Sequence, residues 1–288
     1  MQSGAWSISP CSYRDVVALA RELGIGELTA SVLVRRGHSS PDEARAFLAG
    51  EAEPHDPFLL GDMAAACERI RAAIAAGTRI CVHGDYDVDG ICATALSVLT
   101  LRALGADVAW HLPSRFDEGY GVGMETPARL ADEGFGLLLT VDCGITAVEE
   151  VAAAREHGLD VIVTDHHRPG EVLPDCPLVA TRPSGYPFPE LCGTGVAHKL
   201  AQALLGVDSA EVQRHLDLVA LATIADVVPL VDENRSLAIA GLRALARTRK
   251  PGLRALMRSA RVDTATVNAA AVSFRLAPRI NAAGRLCH

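Results

Sequence analysis

The stretch RICVHGDYDVDGICATALSVLTLRALG, residues 79–105, decides the fold of this chain. A short apolar strand leads into a loop that carries Asp85, Asp87 and Asp89 on alternate residues, and an apolar helix follows. The segments FGLLLTVDCG (135–144), TAVEEVAAAREHG (146–158) and LDVIVTDHH (159–167) continue the alternation. Strands that alternate with helices predict βαβ units and a parallel sheet, and continuously apolar strands predict helices on both faces.

Two further strands are expected in DVAWHLP (107–113) and CPLVATRP (176–183), and only helical patterns follow residue 193. The predicted class is therefore α/β, a parallel β-sheet flanked by helices, with a helical N-terminal extension and a helical C-terminal half. We expect the extension to span residues 1–60 and one domain to span 61–288, α/β to about residue 192 and helical after it. Within the extension, Ser40 and Glu43 have the spacing of a capping box, with Pro41 in the first turn.

Composition narrows the class of protein. Hydrophobic residues make up 49% of the 288 residues, which is enough for a sizeable core. The eight cysteines form no CxxC pair, so neither a zinc knuckle nor a redox motif is indicated. Scattered thiols suit a reducing compartment, and the sequence shows neither a signal-peptide pattern nor a run of about 18 apolar residues. We therefore expect a cytoplasmic protein without a membrane partner.

Charge is divided unevenly along the chain, although the formal net charge is -8. Residues 243–288 hold ten basic side chains and one acid, Asp263, whereas the other 242 residues hold 34 acids and 17 bases. An acidic body with a basic segment suits a metal ion at one place and a polyanion at another. A solvated, arginine-rich helix face explains the same count equally well.

Polar side chains converge where the predicted strands end. Asp142 ends one strand, and Asp165, His166 and His167 end another. The carboxyl ends of parallel strands lie at one edge of a sheet, so these residues and the aspartate loop should share one crevice. Asp226 closes an apolar helix in ATIADVVPL (222–230), where a lone buried carboxylate would be costly. Alone, a strand-end aspartate is more often a helix cap, but the joint pattern favours a metal site.

Carboxylates with neutral imidazoles suit Mn²⁺ or Mg²⁺, and two such ions can support a phosphoryl displacement. A calcium loop is excluded, because the aspartate loop leaves a strand and has no glutamate at the twelfth position. For a phosphate ligand, Gly193 and Gly195 open a helix in GTGVAHK (193–199). Arg279 and Arg285 lie among small residues in PRINAAGR (278–285), and Arg115 lies in SRFDEGYG (114–121). Each arginine alone is as typical of a surface salt bridge.

In their order and wording, these motifs resemble the DHH phosphoesterase superfamily, and most closely its branch of single-stranded-DNA exonucleases that digest from the 5′ end. The stretches RRGHSS (35–40), DPFLLGDM (56–63) and FDEGYG (116–121) are similar to that branch too. The resemblance implies a metal-dependent phosphodiesterase that hydrolyses single-stranded DNA in repair and recombination. It also implies two Mn²⁺ or Mg²⁺ ions, and partners such as a single-strand-binding protein or a helicase.

The same resemblance implies a ligand set for each ion. His83, Asp87 and Asp142 would match the ligands of one ion. The second ion would be held by Asp89, Asp142, His166 and Asp226, so that Asp142 bridges the pair.

Further roles follow from the same motifs. Asp85 fits a supporting position beside the ligands, and Asp165 orients the adjacent histidines. His167 would lie over the scissile phosphate. Arg279 would steady the nucleic-acid backbone, and Arg115 resembles a residue that reads the 5′ end.

The family continues past PRINAAGR into a second lobe and an OB-fold domain, whereas this sequence ends at RLCH. We expect a fragment, a truncated gene product of low activity or a minimal relative. One alternative function is a DHH phosphodiesterase acting on short oligonucleotides or cyclic dinucleotides; FDEGYG and the N-terminal extension argue against it. Another is a non-catalytic binding or replication module, which the complete set of ligand-competent residues disfavours.

Overall fold

The computed structural model describes residues 7–50, 52, 54–116 and 118–286. Contacts divide the chain into two compact units, Met1–Glu53 and Pro54–His288. Asp117 of the FDEGYG motif and Cys287, one of the eight cysteines, lie outside the described residues.

The first unit is a small cluster of three helices: α1 (Tyr13–Leu23), α2 (Glu27–Arg35) and α3 (Pro41–Ala49). Its core is formed by Val16, Leu19, Ala30, Leu33 and Ala44. The predicted capping box of α3 is confirmed. The Glu43 amide donates to Ser40 Oγ, and the Ser40 amide donates to the Glu43 carboxylate.

The second unit begins before residue 60, earlier than the sequence suggested. A 3₁₀ turn (Pro57–Leu59) leads into α4 (Met63–Ala75), and Leu60 and Met63 are fully buried in the large core of this unit. The His55 amide also donates to Glu233 in the helical half of the same unit. These contacts tie the residues just after 53 to the second unit.

A five-stranded parallel sheet organises the second unit and confirms the predicted fold class. Its strands are β1 (Ile80–His83), β2 (Val108–His111), β3 (Leu137–Val141), β4 (Asp160–Asp165) and β5 (Leu178–Ala180), in the order β2-β1-β3-β4-β5. Between them run α5 (Val88–Ala103), α6 (Thr126–Asp132) and α7 (Val148–Glu156). The sequence did not predict the short helix α6.

The strand order reverses between β1 and β3, since the chain passes from β1 to β2 on one side and then to β3 on the other. The register pairs His83 with His111 of β2 and with Thr140 of β3. Parallel sheets open a crevice at such a reversal, outside the carboxyl ends of the strands. The aspartate loop and Asp142 both start there.

Helices form the rest of the second unit. They are α8 (Gly193–Leu205), α9 (Ala210–Gln213), α10 (Leu216–Ala225), α11 (Asp232–Ala246), α12 (Pro251–Ser259), a 3₁₀ turn (Thr264–Thr266), α13 (Ala269–Ala271), a π-helical segment (Val272–Leu276) and α14 (Ala277–Leu286). Helix α10 is almost entirely buried and packs against α5, α8 and α11. It runs through the core and ends at Asp226, its C-terminal cap.

Among the described residues, none of the helices combines the length and the apolar character that a bilayer crossing requires. The seven cysteines that the structure describes are free thiols.

Candidate metal centre

The aspartate loop joins β1 to α5 and is shaped by its own side chains. Asp87 caps α5, because its Oδ1 accepts from the Gly90 amide at 3.0 Å. Asp85 Oδ1 accepts from the Tyr86 amide at 2.8 Å. A β-carbon at Gly90 would lie 2.5 Å from the Asp85 β-carbon, so only glycine allows the loop to fold this tightly. These bonds occupy one oxygen of each carboxylate.

Asp89 is buried and joins the loop to the helical half of the unit. Its carboxylate accepts from the amides of Gly193 and Thr194 at 2.7 and 2.8 Å, and Thr194 Oγ1 donates back to the Asp89 carbonyl. The positive end of α8 therefore faces a side-chain carboxylate. A β-carbon at Gly195 would lie 3.2 Å from the Leu191 β-carbon. Of the two glycines predicted to bind a substrate phosphate, Gly193 donates its amide to Asp89 instead. The phosphate role of Gly195 stays a prediction.

Asp142 follows β3 in a left-handed backbone conformation, with φ +60°. Aspartate and asparagine tolerate this conformation better than other residues with a β-carbon. The Asp142 amide donates to the Thr164 carbonyl at 3.0 Å, which holds the turn against β4. The turn directs the buried carboxylate toward the start of α8, where a β-carbon at Gly193 would lie 2.3 Å from Asp142 Oδ1.

Asp165 is fully buried and fixes both histidines that follow it. Its Oδ1 accepts from the His166 amide at 2.7 Å and from His167 Nδ1 at 2.8 Å, while Oδ2 accepts from the Ile145 amide at 2.9 Å. Burial alone would raise the pKa of Asp165, but these hydrogen bonds hold it below its usual value. The bond to Asp165 raises the pKa of His167, so this pair favours a carboxylate and an imidazolium.

Three groups of side chains bring ligand atoms within 4.8 Å of one another. The groups are Asp142–His166–His167, Asp89–His166–Asp226 and Asp85–Asp87–Asp142. Because Asp142 and His166 each belong to two groups, the three overlap in one site. It unites seven of the predicted site residues from four separate stretches of sequence.

His83, predicted as a ligand of the first ion, lies outside these groups. Its place beside Asp87 and Asp142 is taken by Asp85. The reason is that His83 Nε2 lies 3.0 Å from the Gly121 carbonyl. Its other ring nitrogen, Nδ1, is buried without a hydrogen-bond partner. Burial lowers the pKa of His83 to about 4, so the ring is neutral at pH 7. A proton on Nε2 leaves a lone pair on Nδ1.

The carboxylates repel one another. Burial, followed by the charge of Asp89, raises the pKa of Asp142 well above its usual value. The same two causes raise the pKa of Asp226 to about 7, and burial raises that of Asp85 to about 6. No lysine or arginine in the described part of the chain forms an ion pair with these carboxylates. A bound cation would remove this repulsion.

The geometry between Asp142 and His166 fits such a cation. Burial lowers the pKa of His166, and its Nε2 lies 3.1 Å from Asp142 Oδ1, which is buried and accepts no hydrogen bond. Adjacent ligands of an octahedral ion with bonds of about 2.1 Å lie about 3.0 Å apart. Oxygen donors with neutral imidazoles are the donor set of Mn²⁺ and Mg²⁺. The residues present therefore fit the two ions that the sequence predicted.

The predicted arginines lie at the edge of this site or on its supporting helix. The Arg115 guanidinium is exposed and lies 5.4 Å from the centre of the Tyr86 ring, beside the aspartate loop. Arg279 Nη1 donates to the Arg275 carbonyl one turn earlier at 2.6 Å, and Arg285 is exposed on α14.

The small residues of PRINAAGR serve helix packing, which corrects the expectation that they leave room for a phosphate. A β-carbon at Gly284 would lie 2.8 Å from the Tyr86 carbonyl oxygen, so α14 packs directly on the aspartate loop. Asn281 Oδ1 accepts from the Val88 amide at 3.0 Å and satisfies a free donor at the start of α5.

Two residues of this site were missed by the sequence analysis. Asn281 was not predicted because only the charged residues of PRINAAGR, Arg279 and Arg285, were considered as ligands of a phosphate. Tyr120, in FDEGYG, places its hydroxyl 3.3 Å from His167 Nδ1, with the two rings edge to face. Burial raises the pKa of Tyr120, so its hydroxyl stays protonated. In the sequence, the only indication of a role for these two residues was that each is a polar residue within a motif, PRINAAGR for Asn281 and FDEGYG for Tyr120.

A parallel sheet with overlapping clusters of carboxylates and imidazoles at its carboxyl edge defines an α/β protein with a candidate two-metal centre. Residues 79–223 match the family model described as "DHH family, N-terminal domain". The chain belongs to this family.

The relatives and the solved structures that resemble this chain agree with this family assignment. The chain is 45% identical over 285 residues to the single-stranded-DNA-specific exonuclease RecJ of Bacillus subtilis, covering 98% of this chain and 36% of that protein. A crystal structure of exonuclease RecJ bound to manganese matches with a TM-score of 0.75 and 41% identity, over 81% of this chain and 60% of that one. RecJ of Thermus thermophilus in complex with Mn²⁺ matches with a TM-score of 0.79 and 37% identity, over 95% of this chain and 39% of that one.

Proposed function

We propose that this chain is a metal-dependent phosphodiesterase that hydrolyses single-stranded DNA from the 5′ end, in DNA repair and recombination. The observation that carries the proposal is the 3.1 Å approach of His166 Nε2 to the buried, unpartnered Asp142 Oδ1, amid four further carboxylates. The similarity to RecJ exonucleases supports the choice of substrate, although the chain spans only 36% of the Bacillus subtilis relative.

Two ions, Mn²⁺ or Mg²⁺, would be held by the three overlapping groups of ligands. We assign Asp85, Asp87 and Asp142 to one ion, with His83 Nδ1 as a further donor beside them. Asp89, Asp142, His166 and Asp226 are assigned to the other. When bound, such a pair lowers the pKa of a shared water and neutralises charge on a phosphodiester.

The chain's own residues position these groups. Asp89 is fixed by the amides of α8, and Gly193 leaves room for the Asp142 carboxylate. His167, held by Asp165, presents its imidazole at the half-exposed mouth of the site. The ring would face a phosphate oxygen as negative charge develops there. The Tyr120 hydroxyl lies 3.3 Å from His167 Nδ1, beside the same mouth.

The strand would enter across the exposed side of this site. Arg115 is placed for a 5′-terminal phosphate, because its guanidinium stands over Tyr86 at the rim of the aspartate loop. Arg279 and Arg285 on α14 are exposed and would contact backbone phosphates farther away. A DNA substrate suits a cytoplasmic protein, and single-strand-binding proteins and helicases are the partners that present such strands.

A digestion assay with labelled strands tests the proposal. With Mn²⁺, a 5′-labelled single strand should release label as mononucleotide at the earliest time points, whereas a 3′-labelled strand shortens stepwise. The Asp142→Asn variant is the matched control. Turnover of a dinucleotide with no turnover of long strands would favour the alternative phosphodiesterase. No metal-dependent hydrolysis and no Mn²⁺ binding by calorimetry would overturn the proposal.

A further inference from the structure

A cavity of about 560 Å³ lies at the opposite end of α10 from the metal centre. His215, the cap at the N-terminal end of α10, lines it, whereas Asp226 at the C-terminal end belongs to the ligand groups. At 1.5 Å per residue, the two ends lie about 16 Å apart. The cavity is therefore separate from the place where the reaction would occur.

Basic side chains dominate its walls, although the chain as a whole is acidic. Arg214, Arg247, Arg249 and Lys250 line the cavity together with two acids, Glu211 and Asp217. Both acids are already paired: Glu211 lies 2.7 Å from Arg214, and Asp217 lies 2.6 Å from Lys250. An excess of two positive charges remains on an exposed pair of arginines.

That pair is Arg247 and Arg249, and neither has a carboxylate within salt-bridge distance among the residues that the structure describes. Both precede α12, whose N-terminal end opens on the same cavity at Pro251. No side chain caps this helix end, and its first turn contains no acidic residue. The positive end of the helix dipole adds to the attraction for an anion.

We infer that this cavity is a second phosphate-binding site. Its two free arginines and the positive end of α12 match a phosphate group, because guanidinium groups bind phosphate oxygens in a bidentate manner and the N-terminal end of a helix attracts an anion. Of the sources of phosphate, the backbone of a nucleic-acid strand suits the cavity best, because such backbones bind clusters of basic side chains irrespective of sequence. The choice of a nucleic-acid strand rests on the proposed function, whereas the affinity for phosphate does not.

The test measures binding without turnover. The full chain, in the presence of a chelator, is titrated with a twelve-nucleotide oligothymidylate by fluorescence anisotropy at several salt concentrations. We compare the natural sequence with Arg247→Gln/Arg249→Gln and with Arg14→Gln/Arg21→Gln. The latter pair removes two equally exposed charges from α1.

If two phosphate contacts are lost, the slope of log affinity against log salt should fall in magnitude by about 1.4 in the first variant, and affinity at low salt by about tenfold. The α1 variant should show neither change. Equal changes in both variants, or none in the first, would overturn the inference.

Thymidine 5′-monophosphate distinguishes a free phosphate ester from the backbone of a strand as the ligand. If Arg247→Gln/Arg249→Gln binds both the mononucleotide and the long strand more weakly, the cavity accepts a single phosphate ester. If this variant binds only the long strand more weakly, the cavity acts only together with the metal centre. Both results support the site. Mn²⁺-dependent cleavage of a dinucleotide should be unchanged in the first variant, so a failure of the second site is distinguishable from a failure of the proposed function.

Discussion

Gly193 lies against the carboxylate of Asp142, so closely that a β-carbon at residue 193 would lie 2.3 Å from Oδ1 and 2.6 Å from Cγ. The two residues come from different layers of the fold, the end of β3 and the start of α8. The contact explains why the helix begins with glycine, although its amide does not face a substrate.

Replacing Gly193 by alanine should therefore push the Asp142 carboxylate out of place. A displacement of about 1 Å at a reacting centre can cost about 10²-fold in rate, and we expect Gly193→Ala to lose at least that much Mn²⁺-dependent hydrolysis. Gly195→Ala is the matched control, because the nearest atom to its β-carbon would be the Leu191 β-carbon at 3.2 Å, against 2.3 Å for Gly193. Similar rates for the two variants, both folded, would show that the contact does not matter.

Substitution of Asp142 should reduce the rate of hydrolysis more than substitution of Asp85. Asp142→Asn should abolish measurable hydrolysis with either metal, because its carboxylate serves both ligand sets. Asparagine keeps the left-handed backbone, whereas alanine there adds about 1–2 kcal/mol of strain.

Asp85→Asn should be milder, because Asp85 belongs to one ligand group only, whereas Asp142 belongs to two. Steady-state rates with Mn²⁺ check this order. An Asp142→Asn variant that is more active than Asp85→Asn would refute the bridging assignment.

His167 and His166 should separate turnover from metal binding. His167→Ala removes an imidazole held toward the mouth of the site by Asp165, so kcat should fall by about 10²–10³-fold. Its affinity for Mn²⁺, measured by calorimetry, should stay close to that of the natural sequence. His166→Ala should instead weaken Mn²⁺ binding. The reverse result would exchange the two roles.

Asp85 and Asp226 should destabilise the metal-free protein as pH rises. Their folded-state pKa values, about 6 for Asp85 and about 7 for Asp226, exceed the ordinary aspartate pKa of 3.8. Between pH 3.8 and 7 these two groups therefore bind more protons in the folded state than in the unfolded state, and their contribution to the free energy of unfolding falls with rising pH. The raised pKa of His167 acts in the same direction.

Thermal unfolding in a chelator should accordingly show a larger gain from Asp226→Asn at pH 8 than at pH 5. At pH 8 the substitution should raise the Tm by about 2–4 °C, which corresponds to about 1 kcal/mol for a chain of this size. Mn²⁺ should add more stability at pH 8, because it binds the deprotonated carboxylates. An Asp226→Asn variant whose Tm at pH 8 without metal is no higher than that of the natural sequence would contradict the repulsion among these groups.

The elements of the α/β half could be predicted because each carries a local signal. Every strand is a short, mainly apolar run with Gly, Pro or Asp at its end or within three residues after it, and all five were predicted. The short helix α6 was not, because Thr126–Asp132 spans less than two full turns of pattern. The order of the strands depends on which distant segments pair, and a single sequence does not show this.

The site was predictable in its residue types but less so in its contacts. An aspartate at the end of a predicted strand can be recognised in the sequence as a candidate metal ligand, and so can a pair of histidines. A glycine-rich helix start predicts an anion, yet it does not reveal whether that anion is Asp89 or a substrate. Likewise, the small residues around Arg279 fit a phosphate as well as a neighbouring backbone, and the structure shows the backbone of Tyr86 beside Gly284.

The bond from the Gly193 and Thr194 amides to Asp89 also sets the order in which the site can form. Its partners lie more than a hundred residues apart, so the contact closes a long loop and belongs to the slow, non-local part of folding. During synthesis from the N-terminus, the aspartate loop leaves the ribosome well before α8, and Asp226 and Asn281 follow later still. The ligand residues of a nascent chain therefore come together only after the helical half has docked on the sheet.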